Sequence, residues 1–312
     1  MIRGFKVFTG SSHPDFAQNI CNELSIPLSK AKVGKFSDGE ISVQIGESVR
    51  GKDVFVVQPT GAPANDNLME LMIMTDALKR SSAHSITAVI PFFGYARQDR
   101  KAAPRVPITA KLVANLLETS GIDRIITIDL HAGQIQGFFD IPVDNLYGSM
   151  LFVDYIKSKK LENPIVASPD IGGVARARHF AGTMGLDMVI VDKRREKANE
   201  SEVMNIIGDV EGKDVILIDD MIDTAGTIVK AAEVLKKKGA NSVMACATHP
   251  VLSGPAYDRI EGGELDELVV SDTIPLREGV EANKIKVLSA TPLFAEVIKR
   301  VYTNESVNDL FV

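Results

Sequence analysis

Residues Val215 to Thr227 read VILIDDMIDTAGT. Val215–Ile218 is an unbroken apolar run, β-branched at three of its four positions. A half-solvated strand would alternate polar with apolar residues. An unbroken run fits a strand covered on both faces, as in a parallel sheet with helices on either side. Two carboxylates, Asp219 and Asp220, follow at its carboxyl end. Next come Asp223, Thr224, Ala225, Gly226 and Thr227, all small or polar. A helical pattern follows, with Ile228, Ala231, Ala232 and Leu235 on one face. Lys236 to Lys238 occupy its last turn, and Gly239 can close it. The spacing predicts a strand, a tight loop and a helix N-terminus.

That geometry has a chemical consequence. Free N–H groups and the positive end of the helix dipole favour a phosphate. Thr224 and Thr227 can add hydroxyl donors, and Gly226 lets the backbone come close. Two adjacent carboxylates suit the vicinal hydroxyls of a sugar. A ribose carrying a phosphate satisfies both ends; an ordinary strand-to-helix turn with solvated acids is the plainer alternative. The stretch resembles the phosphoribosyl-diphosphate motif found in phosphoribosyltransferases and in ribose-phosphate pyrophosphokinases.

Strand-like runs alternate with helical ones along the whole chain. Strands are expected at Lys6–Thr9, Val54–Gln58, Thr87–Pro91, Ile125–Asp129, Ile165–Ser168, Met188–Val191, Val215–Asp219, Ser242–Thr248 and Glu267–Val270. Helical patterns between them include Asn67–Arg80, Ile108–Thr119 and Gly172–Met184. The alternation predicts an α/β fold with doubly wound parallel sheets. The two halves share a layout, which predicts two related domains, 1–147 and 148–312. A chain of 312 residues is long enough for both. The net charge of −6 gives no sign of nucleic-acid binding. Cys21 and Cys246 are too few and too far apart for a disulfide framework, so a reduced, cytoplasmic protein is expected. The start MIRGFKVFTG reads as a first strand rather than a signal peptide, and no apolar run reaches membrane-spanning length, so no membrane is expected as a partner.

Four further clusters carry chemistry. In Phe36-Ser-Asp-Gly-Glu40, an aromatic beside Asp38 and Glu40 around Gly39 could stack on a purine and accept from its amine; alone, the pattern favours an Asp-Gly turn before a strand (Ile41, Val43, Ile45). Pro91 to Lys101, PFFGYARQDRK, follows a buried strand and so lies where open α/β sheets bind ligands. Arg97, Arg100 and Lys101 could pair there with a polyphosphate, or the segment is a solvated basic loop. Asp129-Leu-His131 sits at another strand end; the imidazole could bind a metal or a phosphate, or be structural. Asp170, in SPDIGG, takes the equivalent place in the second half. It suits Mg²⁺ as a hard oxygen donor, or caps the helix that carries Arg176 and Arg178. Finally, VDKRREKAN (Val191–Asn199) is densely basic. It reads either as a solvated hairpin tip or as a lid bringing Lys193 and Arg195 onto developing charge.

FSDGE, NDNLMEL, FGYARQDRK, VPITAKL, DLHA, QIQGFFDIPVDN, SPDIGG, VDKRR, IDDMIDTAGT and ATHP, in this order and spacing, resemble the ribose-phosphate pyrophosphokinase family over essentially the whole chain. The resemblance implies two related phosphoribosyltransferase-like domains, each a mostly parallel sheet flanked by helices, with the C-terminal tail packing back on the first. It implies transfer of the diphosphoryl group of ATP to the 1-hydroxyl of ribose 5-phosphate, giving phosphoribosyl diphosphate and AMP. Phe36, Asp38, Gly39 and Glu40, with Arg97, Gln98 and Asp99, would bind ATP. His131 and Asp170 would be Mg²⁺ ligands. Asp219 and Asp220 would hold the ribose hydroxyls, and Asp223, Thr224, Ala225, Gly226 and Thr227 the 5-phosphate. Lys193 and Arg195 would stabilise the transition state, with Arg195 also touching ribose 5-phosphate. The resemblance is closest to the phosphate-regulated class, which implies a homohexamer with inorganic phosphate as activator.

Two departures stand out. Ala102-Ala103-Pro104-Arg105 is shorter and less basic than the usual segment, and Gly133 replaces a residue that is often acidic or Ala. The first bears on phosphate activation and ADP inhibition. Ser306 and Phe311 match the family's regulatory pocket or simply pack the tail. A phosphoribosyltransferase would explain VILIDDMIDTAGT but not the duplicated half, FSDGE or ARQDRK. A non-catalytic, synthetase-associated subunit would be expected to carry insertions or altered motifs.

Overall fold

A computed structural model of the chain describes residues 4–194 and 203–311. It divides into two compact units, one formed by residues 1–147 with 290–312, the other by 148–289. Among the described residues, no helix is long and apolar enough to cross a membrane.

The first unit runs β1 (Phe5–Thr9), α1 (Pro14–Glu23), β2 (Ala31–Lys35), β3 (Ile41–Ile45), β4 (Asp53–Val57), α2 (Ala64–Arg80), β5 (Ser85–Ile90), α3 (Thr109–Ser120), β6 (Arg124–Ile128) and β7 (Val143–Leu146). Its sheet has the order β1-β4-β5-β6-β7, with every neighbouring pair parallel. β2 and β3 form a separate antiparallel hairpin. On one face Val54, Val56, Ala88 and Ile125 pack with Leu71 and Met74 of α2 and Val113 and Leu117 of α3. The opposite face carries Phe55, which meets Phe5, and Phe5 in turn meets Tyr302 of α8 (Thr291–Thr303). α8 also packs on α1 through Phe16 and Phe294, edge to face at 5.4 Å. A late segment of the chain thus completes the first unit's core.

The second unit runs α4 (Met150–Ser158), β8 (Pro164–Ser168), α5 (Val174–Met184), β9 (Met188–Arg194), β10 (Val203–Ile207), β11 (Asp214–Ile222), α6 (Gly226–Lys237), β12 (Ser242–Pro250), α7 (Ala256–Gly262), β13 (Glu267–Ser271) and β14 (Ile285–Leu288). The sheet order is β10-β9-β8-β11-β12-β13-β14, parallel except for the β9–β10 pair. β8-β11-β12-β13-β14 repeats the order and sense of β1-β4-β5-β6-β7. The apolar run of β11 serves two cores. Val215 and Leu217 join Ala231 and Leu235 of α6 on one side, and Ile216 and Ile218 join Ala177 and Phe180 of α5 on the other.

Some elements depart from the sequence reading. β11 does not stop at Asp219 but continues through the acid pair to Ile222, hydrogen-bonded beside β12 as far as Pro250. β9 extends past Val191 to Arg194 and pairs antiparallel with β10, so the basic stretch begins on a hairpin stem. β7, β10 and β14 carry no continuous apolar run because each is the last strand of its sheet.

Asp214 opens β11 and ties three connections together. Its Oδ1 accepts from Ser242 Oγ (2.6 Å) and Asn241 Nδ2 (2.8 Å), and its Oδ2 from the N–H groups of Glu162 (3.2 Å) and Asn163 (3.3 Å). Burial alone would raise its carboxyl, but these donors outweigh burial and hold it below its ordinary value. A carboxyl depressed on folding adds stability that is present above its unfolded value and lost as pH falls through the folded one. Asp214→Asn should therefore lower stability by about 1–3 kcal/mol at neutral pH, and the gap to wild type should narrow below about pH 4 as the wild-type carboxyl protonates; urea unfolding across pH measures both. Phe294→Ala should cost about 3–5 kcal/mol. Hydrogen exchange should show the loss in peptides of the first unit, with those of 148–289 unchanged.

Candidate active site

The second sheet reverses its strand order between β8 and β11: β9 lies beyond β8 on one side and β12 beyond β11 on the other. Open α/β sheets leave a crevice at the carboxyl ends of such a switch point. Asp170 follows β8, and Asp219 to Thr227 lie along and after the end of β11. Asp223 to Ala225 link β11 to α6, whose first turn supplies N–H groups with no preceding helical carbonyl. Thr224 and Thr227 are exposed; Ala225 is buried.

The loop is held from behind. Ser253 Oγ donates to Asp223 Oδ1, and the N–H of Ser253 donates to the Asp223 carbonyl at 3.0 Å. Arg259 of α7 donates from Nη1 to the carbonyl of Thr224 at 2.9 Å. Ala225 is left-handed, with φ 59°, a conformation that costs an L-residue about 1–2 kcal/mol. The Arg259 guanidinium lies beside Gly226, 3.4 Å from where a methyl group there would stand. Neither Ser253 nor Arg259 was legible as a site residue, because no local pattern links them to a loop 30 or more residues earlier.

Asp219 and Asp220 are neighbours on an extended strand, so their side chains start toward opposite faces. Both nevertheless meet Arg176 of α5: its Nη1 lies 3.5 Å from Asp219 Oδ1 and 3.1 Å from Asp220 Oδ1. Asp219 Oδ1 also accepts the N–H of Asp220 at 2.8 Å. Burial raises the Asp219 carboxyl well above its ordinary value, the Asp220 charge adds to that, and Arg176 opposes it. Asp170 is half-buried; its Oδ1 accepts the Gly173 N–H at 2.8 Å just ahead of α5, whose N-cap is Gly173 itself, so Asp170 braces the turn before the helix rather than capping it. Lys193 lies on β9, opposite Met204 of β10. Arg195 lies outside the described residues.

The remaining expected site residues belong to the first unit. Phe36 to Glu40 join β2 to β3 in a tight turn, closed by the Phe36 N–H on the Glu40 carbonyl (2.8 Å) and by the Glu40 N–H on Asp38 Oδ1 (3.1 Å). The turn leaves Phe36 59 % exposed, an apolar ring facing outward. Gly39 has φ 94°, which favours glycine there. Arg97, Gln98 and Asp99 follow β5. Gln98 braces α3 by accepting from Thr109 Oγ1 and from the N–H of Ala110 (3.1 Å). Asp99 Oδ2 accepts from Gln134 Nε2 (2.5 Å). His131 is exposed just after β6, following Asp129, whose φ is 43°. The tail packs within its own unit: Phe311 stands edge-on to Tyr147 at 5.5 Å, and Ser306 Oγ donates to Asp309 Oδ1 at 2.9 Å.

Comparison with known proteins accounts for both halves. A family model described as the N-terminal domain of ribose phosphate pyrophosphokinase matches residues 5–121, and one described as the phosphoribosyl synthetase-associated domain matches 188–312. The chain is 75 % identical over 311 residues to the ribose-phosphate pyrophosphokinase of Wolinella succinogenes and 73 % identical to that of Campylobacter jejuni, covering the full length of each. The crystal structure of phosphoribosylpyrophosphate synthetase from Mycobacterium smegmatis superposes with a TM-score of 0.92 at 44 % identity, over 96 % of this chain and 99 % of that one. With both units matched and the relatives covered end to end, the chain belongs to the ribose-phosphate pyrophosphokinase family.

Proposed function

We propose that the chain transfers the diphosphoryl group of ATP to the 1-hydroxyl of ribose 5-phosphate, giving 5-phosphoribosyl 1-diphosphate and AMP. Full-length identity of up to 75 % to ribose-phosphate pyrophosphokinases carries this reading. The acid pair and braced loop at the switch point support it, since they suit a sugar phosphate.

In this reading the 5-phosphate lies on the loop Asp223–Thr227 and the first turn of α6, with Asp219 and Asp220 accepting from the ribose hydroxyls. The nucleophile is the substrate's own 1-hydroxyl: the bond from that oxygen to the β-phosphorus forms as the bond from the β-phosphorus to the AMP oxygen breaks. No protein nucleophile is required. The two cysteines fit that, since burial pushes Cys21 up to about 11 and Cys246 higher still, leaving neither as a thiolate. What the protein must supply is alignment and neutralisation of charge. Lys193 and Arg195 are assigned to the developing charge. Phe36, Asp38, Gly39, Glu40, Arg97, Gln98 and Asp99 are assigned to ATP.

Mg²⁺ is the proposed cofactor, with Asp170 and His131 as ligands. Among the described residues, no three His, Cys, Asp or Glu side chains gather as a ready-made cage. Mg²⁺ is commonly held by one or two carboxylates together with the phosphates it accompanies, and the Asp170 carboxylate is a hard oxygen donor of that kind. When bound, Mg²⁺ would draw negative charge from the diphosphoryl group. A cytoplasmic homohexamer, activated by inorganic phosphate and inhibited by ADP, completes the reading.

Incubation with ATP, Mg²⁺ and ribose 5-phosphate, with and without phosphate, tests this by ³¹P NMR. AMP and a new C1-linked diphosphate are expected; ATP left intact under both conditions would overturn the reading. Lys193→Ala should lower turnover on the order of a hundredfold, with a much smaller effect on ATP binding. Equal effects on turnover and on ATP binding would remove Lys193 from the transition state.

A further inference from the structure

Two adjacent carboxylates at a water-poor strand end repel each other, and burial adds to the cost of keeping both ionised. The side chain of Asp220 is only 4 % exposed and that of Asp219 only 24 %. Strand geometry also sends them to opposite faces, so nothing in β11 alone would present them together. Arg176 meets both requirements from α5: one nitrogen lies near both carboxylates, and its own side chain is 21 % exposed. α5 packs on the face of Ile216 and Ile218, which by strand alternation is also the face of Asp220, and from there Arg176 Nη1 comes within 3.5 Å of Asp219 Oδ1 as well. The start of α5 is pinned in turn by Asp170 and by Ser168, whose Oγ donates to the Asp170 carbonyl at 2.7 Å.

We propose that Arg176 is a positioning residue for the sugar, an inference that rests on Asp219 and Asp220 holding the ribose hydroxyls: its guanidinium lies against both carboxylates and turns them to one spot, ready to accept from two neighbouring hydroxyls. A lysine would supply the charge only as a point charge on a flexible stem. Of the charged groups around the pair, the Asp219 carboxyl responds to Asp220, which raises it, and to Arg176, which lowers it. On the packed elements, His249 of β12 has its ring on Thr273 Oγ1 at 3.0 Å, and Asp170 after β8 accepts from Gly173. Without Arg176 the Asp219 carboxyl, already raised by burial and by Asp220, rises further and accepts from the sugar less well.

The test uses the full chain with Arg176→Gln and Arg176→Lys. KM for ribose 5-phosphate should rise on the order of tenfold in the Gln variant, while KM for ATP stays near wild type. The acid limb of kcat/KM for ribose 5-phosphate should move to higher pH in Gln and return part of the way in Lys. The substrate phosphate, which ionises near about pH 6, acts alike in all three proteins. Superimposable pH profiles, or equal rises in both KM values together with a lower melting temperature, would reduce Arg176 to a structural residue and overturn the inference. Calorimetric titration of ribose 5-phosphate into wild type and Gln variant separates this from failure of the functional reading. An inactive wild type that still binds the sugar phosphate more tightly than the variant removes the reaction but keeps Arg176, whereas equal binding by both removes Arg176.

Discussion

A parallel strand buried on both faces leaves polar chemistry only its ends. In β11 the alternation of Val215 and Leu217 with Ile216 and Ile218 commits one face to the α6 core and the other to the α5 core. The first charged side chains after that run are Asp219 and Asp220, and the strand continues only to Ile222 before the loop into α6. The acids and the helix N-terminus proposed to hold the sugar phosphate are therefore nearly consecutive in sequence, with Ile222 and Ala225 still anchoring the stretch between them in the core. The reversal of strand order at β8 and β11 opens the space above them.

Left-handed residues other than glycine fall mostly into two groups. Ser25, Ser82, Lys160 and Asn304 end helices, where such a conformation is commonplace. Tyr95, Asp129, Ala225 and Leu252 follow the carboxyl ends of β5, β6, β11 and β12, at the edges that carry the candidate site residues. A strained turn persists only when its surroundings over-determine it. For Ala225 those surroundings are visible: Ser253 on Asp223, Arg259 on Thr224, and a buried methyl group in the α6 core.

Most of the interior strands were legible, since a strand covered on two sides must be written in apolar residues. β7 and β14 were not, because edge strands bury little; β14, Ile-Lys-Val-Leu, is half-exposed or exposed throughout. The motif at β11 was legible as strand, loop and helix, but its strand end was misjudged by three residues, because Asp219 and Asp220 look like loop while β12 still pairs with Met221 and Ile222. The braces of the site were not legible at all. Ser253, Arg259 and the double contact of Arg176 depend on tertiary neighbours, and an arginine on a helix has no spacing that announces its partner. The basic segment was readable as hairpin tip or lid; β9 and β10 pair antiparallel on either side of it, and residues 195–199 lie outside the described residues.

The position of α8 bears on how the chain is made. The first unit's core needs Phe294, yet residues 148–289 form the other unit and emerge from the ribosome first. Roughly 150 residues at about 5–20 per second is on the order of ten seconds during which the α1 face of the first sheet waits uncovered. The second unit, whose residues are continuous, can finish folding during synthesis. The first can close its core only once α8 has been made, so its exposed Phe16 surface is where a chaperone holding nascent apolar chains would be expected to act.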